Sequence, residues 1–327
     1  MTRTVAIVAL DGYTDSGLAV LLDVIRASSS IAALAGRTPP LRVRIASPSG
    51  PRVRSASGAT RDDVRSLRSL DRSLERADIV IVPGIWLDDP RDLDRTLARP
   101  DIAATAAALR RAHAAGSLVA ATCMSVFVLA RAKLARRVTT TWWLASELRE
   151  RHPELDVSLD EALVVDDRIV TAGAVFAVAD LALYLVSRFG GPALARETAR
   201  VLLLDRHTSQ ARYMAKHHLR TSDAIVRRAE SWARTHLAES FDIATLARHA
   251  HTTPRTLARR LDAALGTSPI AFVQQLRVEH AITLLETSSL SMAEIATRVG
   301  YEDANTLRRL IRRETRTTPR ELRKRIA

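Results

Sequence analysis

Cysteine occurs once in the 327 residues, at Cys123, so no disulfide forms within the chain. The reducing cytoplasm is the expected compartment. Lysine is nearly as scarce, at Lys133, Lys216 and Lys324, and the positive charge is therefore almost all guanidinium. The longest apolar stretches are interrupted by charged or polar residues, which argues against a membrane-spanning helix and a membrane partner. The opening MTRTVAIVALDGY has only a brief apolar run and no small-residue cleavage site, so it reads as a first strand and not as a signal peptide. The histidines at 207, 217, 218, 249 and 251 lack the cysteine or carboxylate spacing of a zinc site, so no metal and no other cofactor is expected. From about Ser222 onward the strand pattern is missing altogether.

What is present fits two domains. Before residue 217, β-like runs alternate with helical ones. VAIVAL (5–10), LRVRIAS (41–47), ADIVIVPG (77–84) and SLVAATC read as strands. SGLAVLLDVIRAS, DIAATAAALRRAHAAG, MSVFVLARAKLA and FAVADLALYLVSRFGG read as helices. ALVVDDRIVTAG reads as a hairpin turning at Asp166-Asp167. Such alternation predicts an α/β doubly wound, flavodoxin-like domain over 1–217, followed by an all-α domain over 218–327. His113, on the Ala/Arg helix, is expected at the surface.

The net charge of +13 is uneven: residues 304–327 hold nine Lys/Arg against two Glu. Codon bias toward arginine would not place that surplus at one end. Clustered positive charge favours polyanions through counterion release.

The same region repeats. DIATLARHAHTTPRTLARRLDAALGTSP (242–269) and SMAEIATRVGYEDANTLRRLIRRETRTTP (291–319) share Thr256, Leu257, Arg259 and Pro269 with Thr306, Leu307, Arg309 and Pro319, fifty positions on. Ala247 recurs as Ala296, one residue out of step, which a longer second turn would absorb. Each unit predicts a helix-turn-helix, with Gly300 allowing the second turn. Ile243, Leu246, Ala247, Ile295, Ala296 and Val299 pack the first helices, and Leu257, Leu261, Leu307 and Ile311 turn inward on the second. The outward faces then carry Arg255, Thr256, Arg259 and Arg260, and Asn305, Thr306, Arg308, Arg309, Arg312 and Arg313. Arginine pairs bidentately with guanine and asparagine with adenine, while flanking arginines reach phosphates, so double-stranded DNA is the expected partner. Between the units, IAFVQQLRVEHAITLLE (270–286) predicts a rigid amphipathic helix. Its Ile270, Phe272, Val273, Leu276, Ala281, Leu284 and Leu285 would face both units and set the reading helices about 34 Å apart.

Cys123 falls between an apolar strand and an apolar helix. Such a corner is the nucleophile elbow of several hydrolase folds, where a helix N-terminus favours thiolate. A small buried residue is the plain alternative.

Residues 4–215 resemble the DJ-1/PfpI branch of the class I glutamine amidotransferase-like fold, through VIVPG (80–84), TCMSVFVLARAKLARRVTTTWWLASEL (122–148), LVVDDRIVTAG (163–173) and DLALYLV (180–186). Residues 222–325 resemble an AraC-type DNA-binding domain, most specifically through AEIATRVGYEDANTLRRLIRRETRTTPREL. The combination is similar to GlxA-like transcriptional regulators. The resemblance also assigns Arg255, Arg259, Asn305, Thr306 and Arg309 to base-facing positions. It places Gly17 where enzymatic relatives carry an acid, with Asp15 and Asp23 nearby, and Thr141 where a histidine is expected. Met124, Ser125 and Val126 replace the small pair after the family's cysteine and narrow the pocket mouth.

The expectation is thus a transcriptional regulator, not an enzyme and without catalytic residues. A small-molecule effector would bind at strand ends bounded by Gly84, Cys123, Met124, Trp142 and Gly173. Backbone N–H groups at Gly84 and Met124 would receive a carboxylate or carbonyl oxygen. A homodimer is expected, with RNA polymerase as a candidate partner. Two alternatives keep the DNA-binding part: a cysteine-dependent hydrolase or hydratase, and a thiol redox sensor at Cys123.

Overall fold

The computed structural model describes residues 2–66, 77–159, 161–205, 207, 223–315 and 318–323. The chain divides into two compact units, Met1–Gln210 and Ala211–Ala327. The boundary expected at 217/218, with His217 and His218, lies outside the described residues.

The first unit runs β1 (Arg3–Val8), α1 (Asp15–Leu34), β2 (Leu41–Ser47), β3 (Val53–Arg54), β4 (Thr60–Arg61), β5 (Arg65–Ser66) and β6 (Ile79–Val82). It continues with α2 (Leu93–Leu97), α3 (Pro100–Ala114), β7 (Leu118–Thr122), α4 (Val126–Arg131), β8 (Arg137–Val138), α5 (Ala145–Arg151) and β9 (Asp156–Val157). β10 (Leu163–Asp166), β11 (Ile169–Ala172), α6 (Val178–Gly190) and α7 (Pro192–Val201) complete it. Seven strands form one sheet in the order β10-β11-β7-β6-β1-β2-β5. All neighbours are parallel except the β10–β11 hairpin. The central five strands follow the flavodoxin-like order, with the switch point between β1 and β6.

The central strands β1, β6 and β7 read as apolar runs because both faces are covered. Ala6 and Val8 of β1 join Val80, Val82, Val119 and Ala121 under α3, α4 and α5. Val5 and Ile7 point the other way, into the layer of α1, α6 and α7. By length and composition alone α1 would cross a membrane. Here its Leu18, Leu21, Val24 and Ile25 are buried in the core over the sheet, the place of a layer helix. At the hairpin turn Asp167 takes φ 53°, a left-handed conformation that aspartate tolerates.

The second unit is helical throughout its described residues: α8 (Ala224–Thr235), α9 (Ile243–His249), α10 (Pro254–Leu265), α11 (Pro269–Thr287), α12 (Met292–Arg298), α13 (Ala304–Thr315) and α14 (Pro319–Arg323). These helices are short, and side chains satisfy their free N-terminal N–H groups. Asp242 caps α9, Thr253 α10 and Ser268 α11, and Ser291 with Glu294 forms a capping box on α12. The Asp303 carboxylate accepts the Asn305 and Thr306 N–H groups at the start of α13.

The bridging helix α11 belongs to two cores. Phe272, Val273 and Leu276 pack with α8, α9 and α10, while Val278, Ala281, Ile282 and Leu285 pack with α12, α13 and α14. Ile270, expected to face both units, is instead 62% exposed. It stands in the first turn, short of either core.

Candidate functional site

The two helix-turn-helix units have equivalent geometry. The α9–α10 turn spans 250–253 and the α12–α13 turn spans 299–303, one residue more, as the slipped repeat predicts. Each turn has one left-handed residue, His251 (φ 55°) in the first and Gly300 (φ 77°) in the second. The glycine is obligatory in the second turn, because a Cβ there would stand 2.3 Å from the Leu237 carbonyl oxygen.

On the reading helices Leu257, Leu261, Leu307 and Ile311 are all fully buried. Arg255, Arg259, Arg260, Asn305, Arg308, Arg309, Arg312 and Arg313 are exposed, and Thr256 and Thr306 are partly buried. Arg255, Arg259, Arg309 and Arg312 have no hydrogen-bond or ion-pair partner among the described residues. The others are engaged. Arg260 pairs with Asp223, the N-cap of α8, at 3.4 Å. Arg313 pairs with Glu314 at 3.2 Å. Arg308 donates to the Asn305 side-chain oxygen at 2.7 Å, and the Thr306 hydroxyl donates to the capping carboxylate of Asp303 at 3.0 Å.

Two features the sequence pattern did not reveal hold these units. Arg277 of α11 reaches the Gly300 and Glu239 carbonyls. Arg234 of α8 bridges Glu230 and Glu279, both nearly inaccessible to solvent.

In the first unit, Gly84, Cys123 and Met124 meet at a buried corner, while Gly173 follows the β11–β7 pairing of Ala172 with Thr122 and Trp142 follows the Thr139–Thr140 ties. Gly84 lies so close to Cys123 that a Cβ on it would sit 2.9 Å from the cysteine Cβ. The Ser125 hydroxyl donates to the Pro83 carbonyl at 2.6 Å, tying the start of α4 to the end of β6. The Thr140 hydroxyl donates to the Cys123 carbonyl at 2.9 Å, and the Thr139 N–H to the Thr171 hydroxyl at 2.9 Å. That segment brings Trp142, stacked edge-on against Trp143 at 5.2 Å, to the ends of β7 and β11. Gly173 follows β11, its N–H bonded to the Ala162 carbonyl at 3.0 Å. Cys123 is 3% exposed and Met124 1%.

Cys123 has φ 54°, the strained backbone of an elbow residue. It begins a 3-10 turn over Cys123–Ser125, and the regular helix starts only at Val126. The thiolate expected from a helix N-terminus is not favoured. Burial pushes the thiol up to about 11, against the smaller opposing pulls of the Met124 N–H and the Thr141 hydroxyl. The elbow helix is therefore shorter than expected and its thiol protonated at neutral pH.

The acid position is closed as well. A Cβ on Gly17 would lie 2.3 Å from the Thr14 hydroxyl oxygen, and that hydroxyl donates to the Gly84 carbonyl at 3.2 Å. Thr141 Oγ1 is buried beside the Cys123 thiol. A separate groove of about 690 Å³ lies between α1 and β4, lined by Tyr13, Asp15, Asp23, Arg26 and Arg61 among others; none of the five expected residues borders it. His113 is half-buried and not a surface residue. Burial, and then Arg168, lower its pKa.

Comparison with known proteins agrees with this geometry. The DJ-1/PfpI family matches residues 3–188, and a helix-turn-helix domain matches residues 246–325. The HTH-type transcriptional activator RhaS of Enterobacter sp. (strain 638) is 34% identical over 105 residues, 32% of this chain and 38% of that protein. RhaS of Salmonella arizonae is 34% identical over 102 residues, 31% of this chain and 37% of that protein. The chain thus spans less than two-fifths of these curated relatives. Drosophila melanogaster DJ-1beta shares the fold at 18% identity and a TM-score of 0.51, over 63% of this chain and 100% of its own. A Vibrio parahaemolyticus protein provisionally described as a transcriptional regulator does so at 18% identity and 0.52, over 62% of this chain and 100% of its own. The chain belongs to the DJ-1/PfpI family and carries an AraC-type helix-turn-helix domain after it in sequence.

Proposed function

We propose that this chain is a transcriptional regulator in which the helical unit binds double-stranded DNA and the DJ-1/PfpI unit senses a small molecule without catalysing a reaction. One observation carries the reading: Arg255, Arg259, Arg309 and Arg312 stand exposed on the two reading helices, with no hydrogen-bond or ion-pair partner among the described residues. Exposed guanidinium groups on such faces suit base edges and phosphates. Arg308, Arg313, Arg260, Asn305, Thr256 and Thr306 border the same faces, and DNA would release them from their internal partners.

The non-catalytic reading rests on Cys123. A protonated, 3% exposed thiol without an acid at Gly17 or a histidine at Thr141 lacks general acid–base help worth about 10²–10⁴-fold in rate. The effector is placed at the corner of Gly84, Cys123, Met124, Trp142 and Gly173, where opening of the Trp142 segment would admit it. The regulator would work in the cytoplasm as a homodimer, with RNA polymerase as its partner at a promoter.

The φ of 54° at Cys123 favours a second reading, a cysteine-dependent hydrolase or hydratase fused to the DNA-binding part. A metabolite panel followed by thermal shift of the full chain, with product assays on each hit, separates the two, since a ligand stabilises by mass action. A hit that stabilises and is recovered unchanged supports the sensor. Turnover that disappears in Cys123→Ser supports the enzyme.

A further inference from the structure

Beside the second reading helix lies a groove of about 320 Å³, floored by Leu285, Met292 and Pro319 and rimmed by Arg308, Arg320 and Arg323. Among the described residues its lining holds no acidic side chain, and Thr318, also in its wall, donates its N–H and hydroxyl to the Glu321 carboxylate, both at 2.8 Å. Arg320 has no hydrogen-bond or ion-pair partner among the described residues. Arg308 donates to the Asn305 side-chain amide oxygen and Arg323 to the Leu290 carbonyl, both neutral acceptors. Three guanidinium charges therefore share one apolar-floored groove, and the one carboxylate held at its wall, Glu321, is engaged in capping Thr318. Like charges at an apolar surface repel more strongly than in open water, so the arrangement favours an anion.

The position of the groove names the anion. Leu307 and Ile311 face the core while Arg309 and Arg312 face solvent. Arg308 follows Leu307 by one residue, about 100° round the helix, and so stands on the flank between core and reading face. The flanks of a helix seated in a major groove are bordered by backbone phosphates. We propose that this groove seats a phosphodiester of duplex DNA beside the base pairs faced by α13, held by Arg320 and Arg323 from α14 together with Arg308. The site rests on the DNA-binding reading above and extends it to residues outside the repeated helix-turn-helix units. Because the contact is to phosphate, it adds affinity and register without base preference.

The test uses the full chain, with fluorescence anisotropy on two labelled duplexes: one from upstream of its own gene, one of equal length and unrelated sequence. Salt is titrated from about 50 to about 200 mM. Wild-type binding to the upstream duplex is the control; its absence would remove the DNA reading itself. Given that binding, Arg320→Gln should weaken both duplexes by the same factor and reduce the slope of log K against log salt by about 0.9. Arg320→Gln/Arg323→Gln should reduce it by about 1.8, so the wild-type advantage shrinks about tenfold across that salt range. Arg42→Gln, an exposed arginine on β2, controls for net charge and should leave the slope unchanged. A slope for Arg320→Gln equal to that of Arg42→Gln overturns the proposal, and so does a loss confined to one duplex. Unaltered DNA binding with a fallen promoter output in the Arg320→Gln reporter strain also overturns it, and assigns the groove to an acidic protein surface instead.

Discussion

Arg277 and Gly300 form the joint between the two helix-turn-helix units. Arg277 Nη1 donates to the Gly300 carbonyl at 3.0 Å and Nη2 to the Glu239 carbonyl at 2.9 Å. The guanidinium also lies 5.8 Å from the Phe241 ring centre and 5.7 Å from that of Tyr301. One side chain thus ties the loop before α9 to the turn before α13. Gly300→Ala would force a Cβ against the Leu237 carbonyl at a positive φ. The expected cost is about 1–3 kcal/mol or more, read as a lower thermal midpoint of the helical unit. A stability within about 0.5 kcal/mol of wild type would mean that the joint is loose.

The bridge from α8 to α11 should matter more. Arg234 donates to Glu230 and Glu279, whose relative exposures are 0% and 4%. Burial alone would lower the Arg234 pKa, and the two carboxylates reverse this and raise it. Arg234→Ala removes the cation that these two buried acids share, so a loss of about 3–5 kcal/mol is expected. Replacing all three by apolar residues should recover much of it. Denaturant unfolding of wild type and the two variants measures both.

Arg309 and Arg313 should separate base reading from phosphate contact. Arg309 is exposed and unpaired, whereas Arg313 pairs with Glu314. Arg309→Ala should relax preference at one base position and cost about 1–3 kcal/mol there. Arg313→Ala should weaken all sequences alike and by less. A selection from randomised duplexes, repeated with each variant, reads the difference.

Much of this was legible in the sequence. Strands buried on both faces are continuous apolar runs, so β1, β6 and β7 stood out, while β2 showed by its alternation and the β10–β11 hairpin by its Asp166-Asp167 turn. The repeat also predicted the longer second turn and the inward leucines. What stayed hidden depends on contacts between distant segments. Arg277 read as a polar position on an amphipathic helix, and only folding brings Glu239 and Gly300 to it. Ile270 looked like core because its spacing fits the apolar stripe, yet the first turn of α11 outruns both cores. At Cys123 the strand–helix corner was visible, but the positive φ and the burial that keeps the thiol protonated follow from packing against Gly84.

That thiol gives a pH-dependent prediction. With its pKa raised to about 11, Cys123 is thiolate in about one molecule in ten thousand at pH 7. Thiolate is the nucleophile, so iodoacetamide should label native protein far more slowly than unfolded protein at pH 7–8. The native rate should climb with pH toward about 11 while the fold persists. Rapid labelling at pH 7 would return Cys123 to the reactive class and favour the redox-sensor or enzyme alternative.

Hydroxyl-radical footprinting of the full chain on DNA from upstream of its own gene, at low salt, tests the central claim most directly. Two reading helices joined by α11 predict two protected segments on one face of the duplex, about 34 Å or one helical turn apart in each site. Arg309→Ala should thin the segment read by α13 and leave its neighbour intact. No protection at low salt, at protein concentrations that saturate non-specific binding, would contradict the account.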